Sequence, residues 1–132
     1  MVPPVTVVGV GIDLVDLGRI RVLLAKQGDR AMARFFSDQE REYLATRADA
    51  TGHAAARIAA KEAVYKAMQS LPGARGVGWR EIEVSRDAEG RPAIHLSGLA
   101  AKVSADRGGL RIQISLTHSA TSAGAIAIVE AP

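Results

Sequence analysis

The sequence predicts an α+β domain in which one long central helix packs on a mainly antiparallel sheet. Residues Ala54 to Met68 read AAARIAAKEAVYKAM, a run without glycine or proline and rich in alanine, which loses no side-chain entropy in a helix. The second half of the chain instead alternates apolar and polar residues in EIEVS, RPAIHLS and RIQISLTH, the two-residue period of strands. Only 4% of residues are aromatic, so the core must be assembled from Val, Ile, Leu and Ala. A length of 132 residues suits a single domain, residues 1–132, with enough chain to bury a core.

Pro3 and Pro4 precede TVVGVGI, a β-branched run that reads as a buried strand. Gly9 and Gly11 begin a dinucleotide fingerprint, but Leu14 stands where its third glycine belongs, and that fingerprint is set aside. The two glycines instead let another backbone or a ligand pack closely on the strand. The stretch LVDLGRIRVLLAKQG then places Leu14, Leu17, Ile20, Leu23 and Leu24 at helical spacing, with Gly28 as the stop. Asp13 lies at this junction, where its simplest role is an N-cap. Arg19, Arg21 and Lys26 occupy the exposed side of the helix, as a solvated face or as a dock for an acidic partner. Ser37 with Glu40 three residues on forms a capping box that starts a short helix after Phe35 and Phe36.

Thr46 to Gly52 is a polar connector, and His53 has a surface or capping position ahead of the central helix. In that helix Ala56, Ala59, Ala60, Ala63 and Ala67 recur at three- and four-residue steps, a narrow strip that another backbone can approach. Glu62 and Lys66 sit one turn apart on the neighbouring face; as a solvated pair they are worth roughly 0.3–0.5 kcal/mol. A loop rich in Gly and Pro, QSLPGARGVGW, leads to a hairpin that turns at Asp87-Ala88-Glu89-Gly90. His95 takes an ordinary sheet-face position in its returning strand. LAAKVSAD is a short helix closed by Gly108 and Gly109, and SAGAIAIVEA a last strand after RIQISLTH. His118, just past RIQISLT, is by itself a hydrogen-bonded turn residue.

Lys and Arg exceed Asp and Glu by three, 17 against 14, a balance that favours acidic or phosphorylated partners. No dense basic block interleaves with aromatics, so nucleic-acid binding ranks last. The absence of cysteine excludes disulfides and cysteine-ligated zinc and fits a cytoplasmic protein. The apolar run from Val5 to Ile12 is too short for a membrane span and lacks the basic flank of a signal peptide.

Asp13, Glu62, Lys66 and His118 together supply what metal-assisted phosphoryl chemistry requires. Mg²⁺ prefers one or two carboxylates plus phosphate oxygens, lysine acts as a point charge against phosphate, and histidine donates to it. Spacing alone does not bring these side chains together. The blocks GVGIDLVDLGRI, RIAAKEAVYKAM, EIEVSRDAEGRP and ISLTHS, however, occur in this order from Val8 to Val129. In this they resemble the short 4′-phosphopantetheinyl transferases, the holo-acyl-carrier-protein synthases; AAKEA-x-x-KA is the most specific block and G-x-G-x-D the second.

The resemblance implies the corresponding fold and the Mg²⁺-dependent transfer of phosphopantetheine from coenzyme A to a serine of an apo acyl carrier protein. At matching positions it implies Asp13 and Glu62 as the metal carboxylates and Lys66 as the charge that neutralises phosphate or protonates the departing 3′,5′-ADP. It also implies that Arg57 and His118 lie near the coenzyme A phosphates and that Arg19 faces the carrier, with Arg21 and Lys26 beside it. Homotrimers with active sites between subunits are implied as well, with Asp13 and Glu62 at an interface. Either a water on the metal or Glu62 is the candidate base. The chain departs from the pattern in two places: Met68 to Gly73 replaces a glycine-rich turn, and Ile58 stands at a usually aromatic position. The rivals are a Mg²⁺-dependent transferase with another diphosphate donor and a non-catalytic module that docks an acidic protein.

Overall fold

The computed structural model describes residues 4–132, so Pro3 lies outside the described residues. Strand β1 spans Thr6–Asp16 and is followed by helices α1 (Leu17–Gln27), α2 (Asp29–Phe35), α3 (Asp38–Ala45) and α4 (Thr51–Met68). Short 3₁₀ turns at Ala74–Gly76 and Trp79–Glu81 lead into the hairpin β2 (Ile82–Arg86) and β3 (Pro92–Leu96). Helix α5 (Gly98–Asp106) and strands β4 (Arg111–His118) and β5 (Ser122–Ala131) complete the order. All strand pairings are antiparallel, in two sheets: β1-β5-β4, and β2 with β3. The expected α+β architecture, a long helix on antiparallel strands, is the one observed.

The alanine strip and the paired glycines, read separately in the sequence, meet each other. Gly9 and Gly11 lie against the carbonyls of Ala67 and Ala63; a Cβ added to either would come within 1.7 and 1.8 Å of those oxygens. Main chain therefore rests on main chain where β1 crosses α4. Ala59, Ala60 and Ala63 are fully buried there with Val64, and Ala125, Ala127 and Val129 of β5 continue the core. A second cluster, centred on Phe36, Leu44, Ala54 and Ala55, joins α1, α2 and α3 to the other end of α4.

Two boundaries differ from the sequence expectation. The strand does not stop at Asp13: it runs on to Asp16, whose carboxylate accepts from the Gly18 N–H at 2.8 Å and caps α1. Capping is thus the work of Asp16, and Asp13 is left as a mid-strand residue opposite Ala125. The sequence pattern missed this because Leu14 fits both the helical spacing and the strand alternation. Helix α2 was also unforeseen, and α4 begins three residues early, where Asp49 accepts from the Thr51 N–H at 3.0 Å. The Ser37–Glu40 capping box is present in both directions, with Glu40 N to Ser37 Oγ at 3.3 Å and Ser37 N to Glu40 Oε1 at 2.9 Å. Among the described residues no helix is long and apolar enough to cross a membrane.

Candidate active site

Strand alternation puts Gly9, Gly11 and Asp13 on the face of β1 that meets α4. Beyond the glycines the helix presents Glu62 and Lys66, so the two-residue step from Gly11 brings Asp13 to them. Lys66 Nζ donates to Asp13 Oδ1 and to the Ile12 carbonyl, each at 3.1 Å. The ammonium of Lys66 is thus committed to Asp13 across the strand rather than to Glu62 one turn away on its own helix. The Asp13 side chain is only 17% exposed, while that of Lys66 is half exposed.

Asp13 and Glu62 line one cleft of about 730 Å³, together with Arg19, Lys26, Ile58 and Trp79. Burial raises the affinity of Glu62 for its proton, the Asp13 carboxylate raises it further, and Lys66 opposes both. Two carboxylates that repel each other across a cleft fit a divalent cation between them. Asp16 also lines the cleft but caps α1, and among the described residues no three His, Cys, Asp or Glu are grouped to hold a metal ion. That donor set suits Mg²⁺, which takes its remaining oxygens from water and phosphate, better than a zinc site closed by protein ligands.

A second recess of about 550 Å³ gathers Arg21, His53, Arg57, Arg86 and His118, with Asp49 as the acidic member. Arg57 is buried, its guanidinium lies 4.1 Å from the Tyr43 ring centre, and its Nη1 donates to the His53 carbonyl at 3.5 Å. Its Nε has no hydrogen-bond partner among the described residues. A buried, partly unsatisfied cation beside four further basic groups is what an anionic ligand would complete. Burial depresses the proton affinity of His53, and Arg47, Arg57 and Arg86 add to the effect.

The structure therefore divides the sequence-predicted site. Asp13, Glu62 and Lys66 converge, with Arg19 and Lys26 on the rim of their cleft. Arg21 leaves that group and joins Arg57 and His118 in the other recess. Ile58, the departure from the aromatic position, is buried and lines the carboxylate cleft. The altered turn after Ala67 is tied down by Ser70 Oγ, which donates to the Val8 carbonyl at 2.6 Å, and by Gln69 Nε2, which reaches Tyr65 O and Ala74 O.

Sequence reasoning missed His53 and Arg86 as members of the cationic recess, and Trp79 as a cleft wall. It also missed Lys61, which is buried in an ion pair with Glu40 at 2.6 Å. The one signal for Lys61 was a lysine set among alanines on the inward side of α4.

Comparison with known proteins places this geometry. Residues 9–123 match the family model of the 4′-phosphopantetheinyl transferase superfamily. The holo-[acyl-carrier-protein] synthase of Syntrophus aciditrophicus is 41% identical over 122 residues, 92% of this chain and 94% of the relative. That of Paramagnetospirillum magneticum is 42% identical over 131 residues, 95% and 97% of the two chains. Among solved structures, the holo-(acyl-carrier-protein) synthase of Bacillus anthracis in complex with CoA (3′,5′-ADP) superposes with a TM-score of 0.77 at 30% identity, covering 96% of this chain and 98% of the other. With a match that takes in most of β1, all of α4 and the start of β5, the chain belongs to the 4′-phosphopantetheinyl transferase superfamily.

Proposed function

We propose that the chain is a holo-acyl-carrier-protein synthase, which moves 4′-phosphopantetheine from coenzyme A to a serine of an apo acyl carrier protein and releases 3′,5′-ADP. The convergence of Asp13 and Glu62 at one cleft, with Lys66 hydrogen-bonded to Asp13, carries the assignment of the chemistry. Asp13 and Glu62 would hold Mg²⁺, and when bound it would offset charge on the pyrophosphate of the donor. The serine Oγ attacks the β-phosphorus, the bond from that phosphorus to the bridging oxygen breaks, and the electron pair leaves with 3′,5′-ADP. Glu62, on the cleft beside Asp13, or a water held there is the candidate to accept the serine proton. Lys66, half exposed and paired with Asp13, balances charge on the leaving phosphate.

Arg57 and His118, with His53 and Arg86, are assigned to donor phosphate. Arg19 and Lys26, on the rim of the carboxylate cleft, are assigned to an acidic carrier; Arg21 faces the donor recess and is reassigned to it. We take residues 1–132 as one catalytic domain and place the reaction in the cytoplasm, in keeping with the lack of cysteine.

Two observations favour the homotrimer. The outward face of β1 presents Val10, Ile12 and Leu14 to solvent, Ile12 and Leu14 at 70% and 74% exposure, and Ile126 of β5 extends the strip. A bulge between Val7 and Gly9 shifts the strand phase, so that Val7 before it is exposed along with Val10 after it. The donor contacts also fall in two separate recesses of one chain, which an assembly can set face to face across subunits.

Intact-mass measurement tests the function. The protein is mixed with coenzyme A, Mg²⁺ and an apo acyl carrier protein, with EDTA as the control. A carrier mass gain of one phosphopantetheine, abolished by EDTA, is expected. No gain on fatty-acid, polyketide or peptide carriers from folded protein would overturn it, and a gain only with another diphosphate donor would reassign the substrate.

A further inference from the structure

Lys61 precedes Glu62 in the helix yet points the other way, into the core. Its side chain and that of Glu40 are both fully buried. A lysine ammonium has three donors, and here all are used: Glu40 Oε1 at 2.6 Å, Ile82 O at 2.6 Å and Trp79 O at 2.9 Å. The Glu40 carboxylate is equally committed, since Oε2 accepts from Val84 N at 3.0 Å and Oε1 from Ser37 N at 2.9 Å. One ion pair therefore fastens α4 to α3, to the 3₁₀ turn that carries Trp79, and to β2.

This clamp has a direction. Trp79 is a wall of the carboxylate cleft, and it is held from two sides: its carbonyl by Lys61, and its ring edge-on to Phe35 with centroids 4.9 Å apart. Glu62, one residue from Lys61 along the helix, lines the same cleft. The position of Glu62 relative to Trp79 is thus fixed through a single ammonium group. Hydrophobic packing alone tolerates sliding and repacking, whereas three hydrogen bonds from one atom define the rotation of α4 against the turn.

Resting on the transferase function above, we propose that Lys61, with Glu40, is a positioning residue for the transfer site: it sets where the helix bearing Glu62 lies against the turn bearing Trp79, without touching substrate. Buried pairs of this kind are often no more stabilising than apolar residues of similar size, so stability alone gives little reason for ions here. Misplacement of a reacting group by a fraction of an ångström to an ångström, by contrast, costs catalysis steeply.

Lys61→Met alone leaves the Glu40 carboxylate stranded in the core and is expected to misfold. The informative variant is E40Q/K61M, which removes both charges and keeps a side-chain carbonyl for Val84 or Ser37. Trp79 is the only tryptophan of the chain, so its fluorescence reports on the cleft wall directly. Three quantities are measured on E40Q/K61M: the melting temperature, acrylamide quenching of Trp79, and kcat with the KM for coenzyme A. The expected result is a cooperative melt, a more readily quenched Trp79, and kcat lower on the order of 10- to 100-fold with KM within about twofold. Glu40→Gln leaves Lys61 both carbonyl partners but unpairs its buried charge, so it should melt lower than E40Q/K61M while shifting quenching and kcat in the same direction.

Wild-type kcat in both variants overturns the positioning role. So does an equal fall in kcat in Val129→Ala, a core variant of β5 outside the cleft, compared at the same loss of melting temperature. The wild-type chain is run alongside: if it transfers nothing, the function itself is overturned, whereas an active wild type beside fully active variants overturns only the role of Lys61.

Discussion

Burial and the neighbouring Asp13 carboxylate both hold Glu62 above the ordinary glutamate range. Replacing it by glutamine keeps the shape and removes the charge, so Glu62→Gln should fold normally and lose Mg²⁺-dependent transfer by at least about 100-fold. Wild-type rates from that variant in the mass assay would remove Glu62 from the mechanism. Arg57 offers a different test, because its Nε waits for a partner. Hydrogen bonds to charged groups contribute about 1.5–3 kcal/mol, so Arg57→Ala should raise the KM for coenzyme A roughly 10- to 100-fold with a smaller effect on kcat. His53 gives a pH dependence. Its proton affinity in the native chain is depressed below the ordinary 6.5 by burial and by Arg47, Arg57 and Arg86. The unfolded chain therefore takes up a proton first as pH falls through 6.5, and native stability drops from there down to the lower native value. Denaturant melts between pH 7.5 and 5 should show this slope, and His53→Asn should flatten it.

At the scale of elements, the contact of β1 with α4 is the most exacting in the molecule. Gly11→Ala would set a methyl group on the Ala63 carbonyl oxygen, which neither element can yield without parting. A loss of about 3 kcal/mol or more is expected in a denaturant titration, while Gly52→Ala, with open space around it, should cost far less. This contact was legible in the sequence as two halves, a glycine pair in a strand and an alanine strip on a helix. Both halves are local patterns, and only one fold partner suits each. The end of β1 was not legible, because Leu14 satisfies either period and Asp16, two residues short of Gly18, caps as well as Asp13 would. The Lys61–Glu40 pair was hidden for another reason: its members are 21 residues apart, and a capping box had already explained Glu40.

At the scale of the whole molecule, the candidate site was legible where residues are joined by the β1–α4 crossing and illegible where they are not. Asp13, Glu62 and Lys66 sit at that crossing. Arg21, one residue from Ile20 and two from Arg19, turns to the other recess because successive helix positions differ by about 100° in direction. The outward strip on β1 belongs to this scale too. Val10→Asp with Ile12→Asp places charges on the strip without touching the core, and should convert an assembly to monomers in sedimentation while melting remains cooperative. Transfer should fall with the assembly; a fully active monomer would remove the subunit boundary from the site. The glycine contact has one more consequence. Because carbonyl oxygens of α4 rest directly on the backbone of β1, the gap between the strand that bears Asp13 and the helix that bears Glu62 is set by main-chain atoms common to every sequence. Side chains elsewhere in the core can drift by whole methyl groups through mutation, and the gauge between the two carboxylates stays put. Lineages that keep two glycines and two alanines inherit the spacing of their chemistry, whatever else they rewrite.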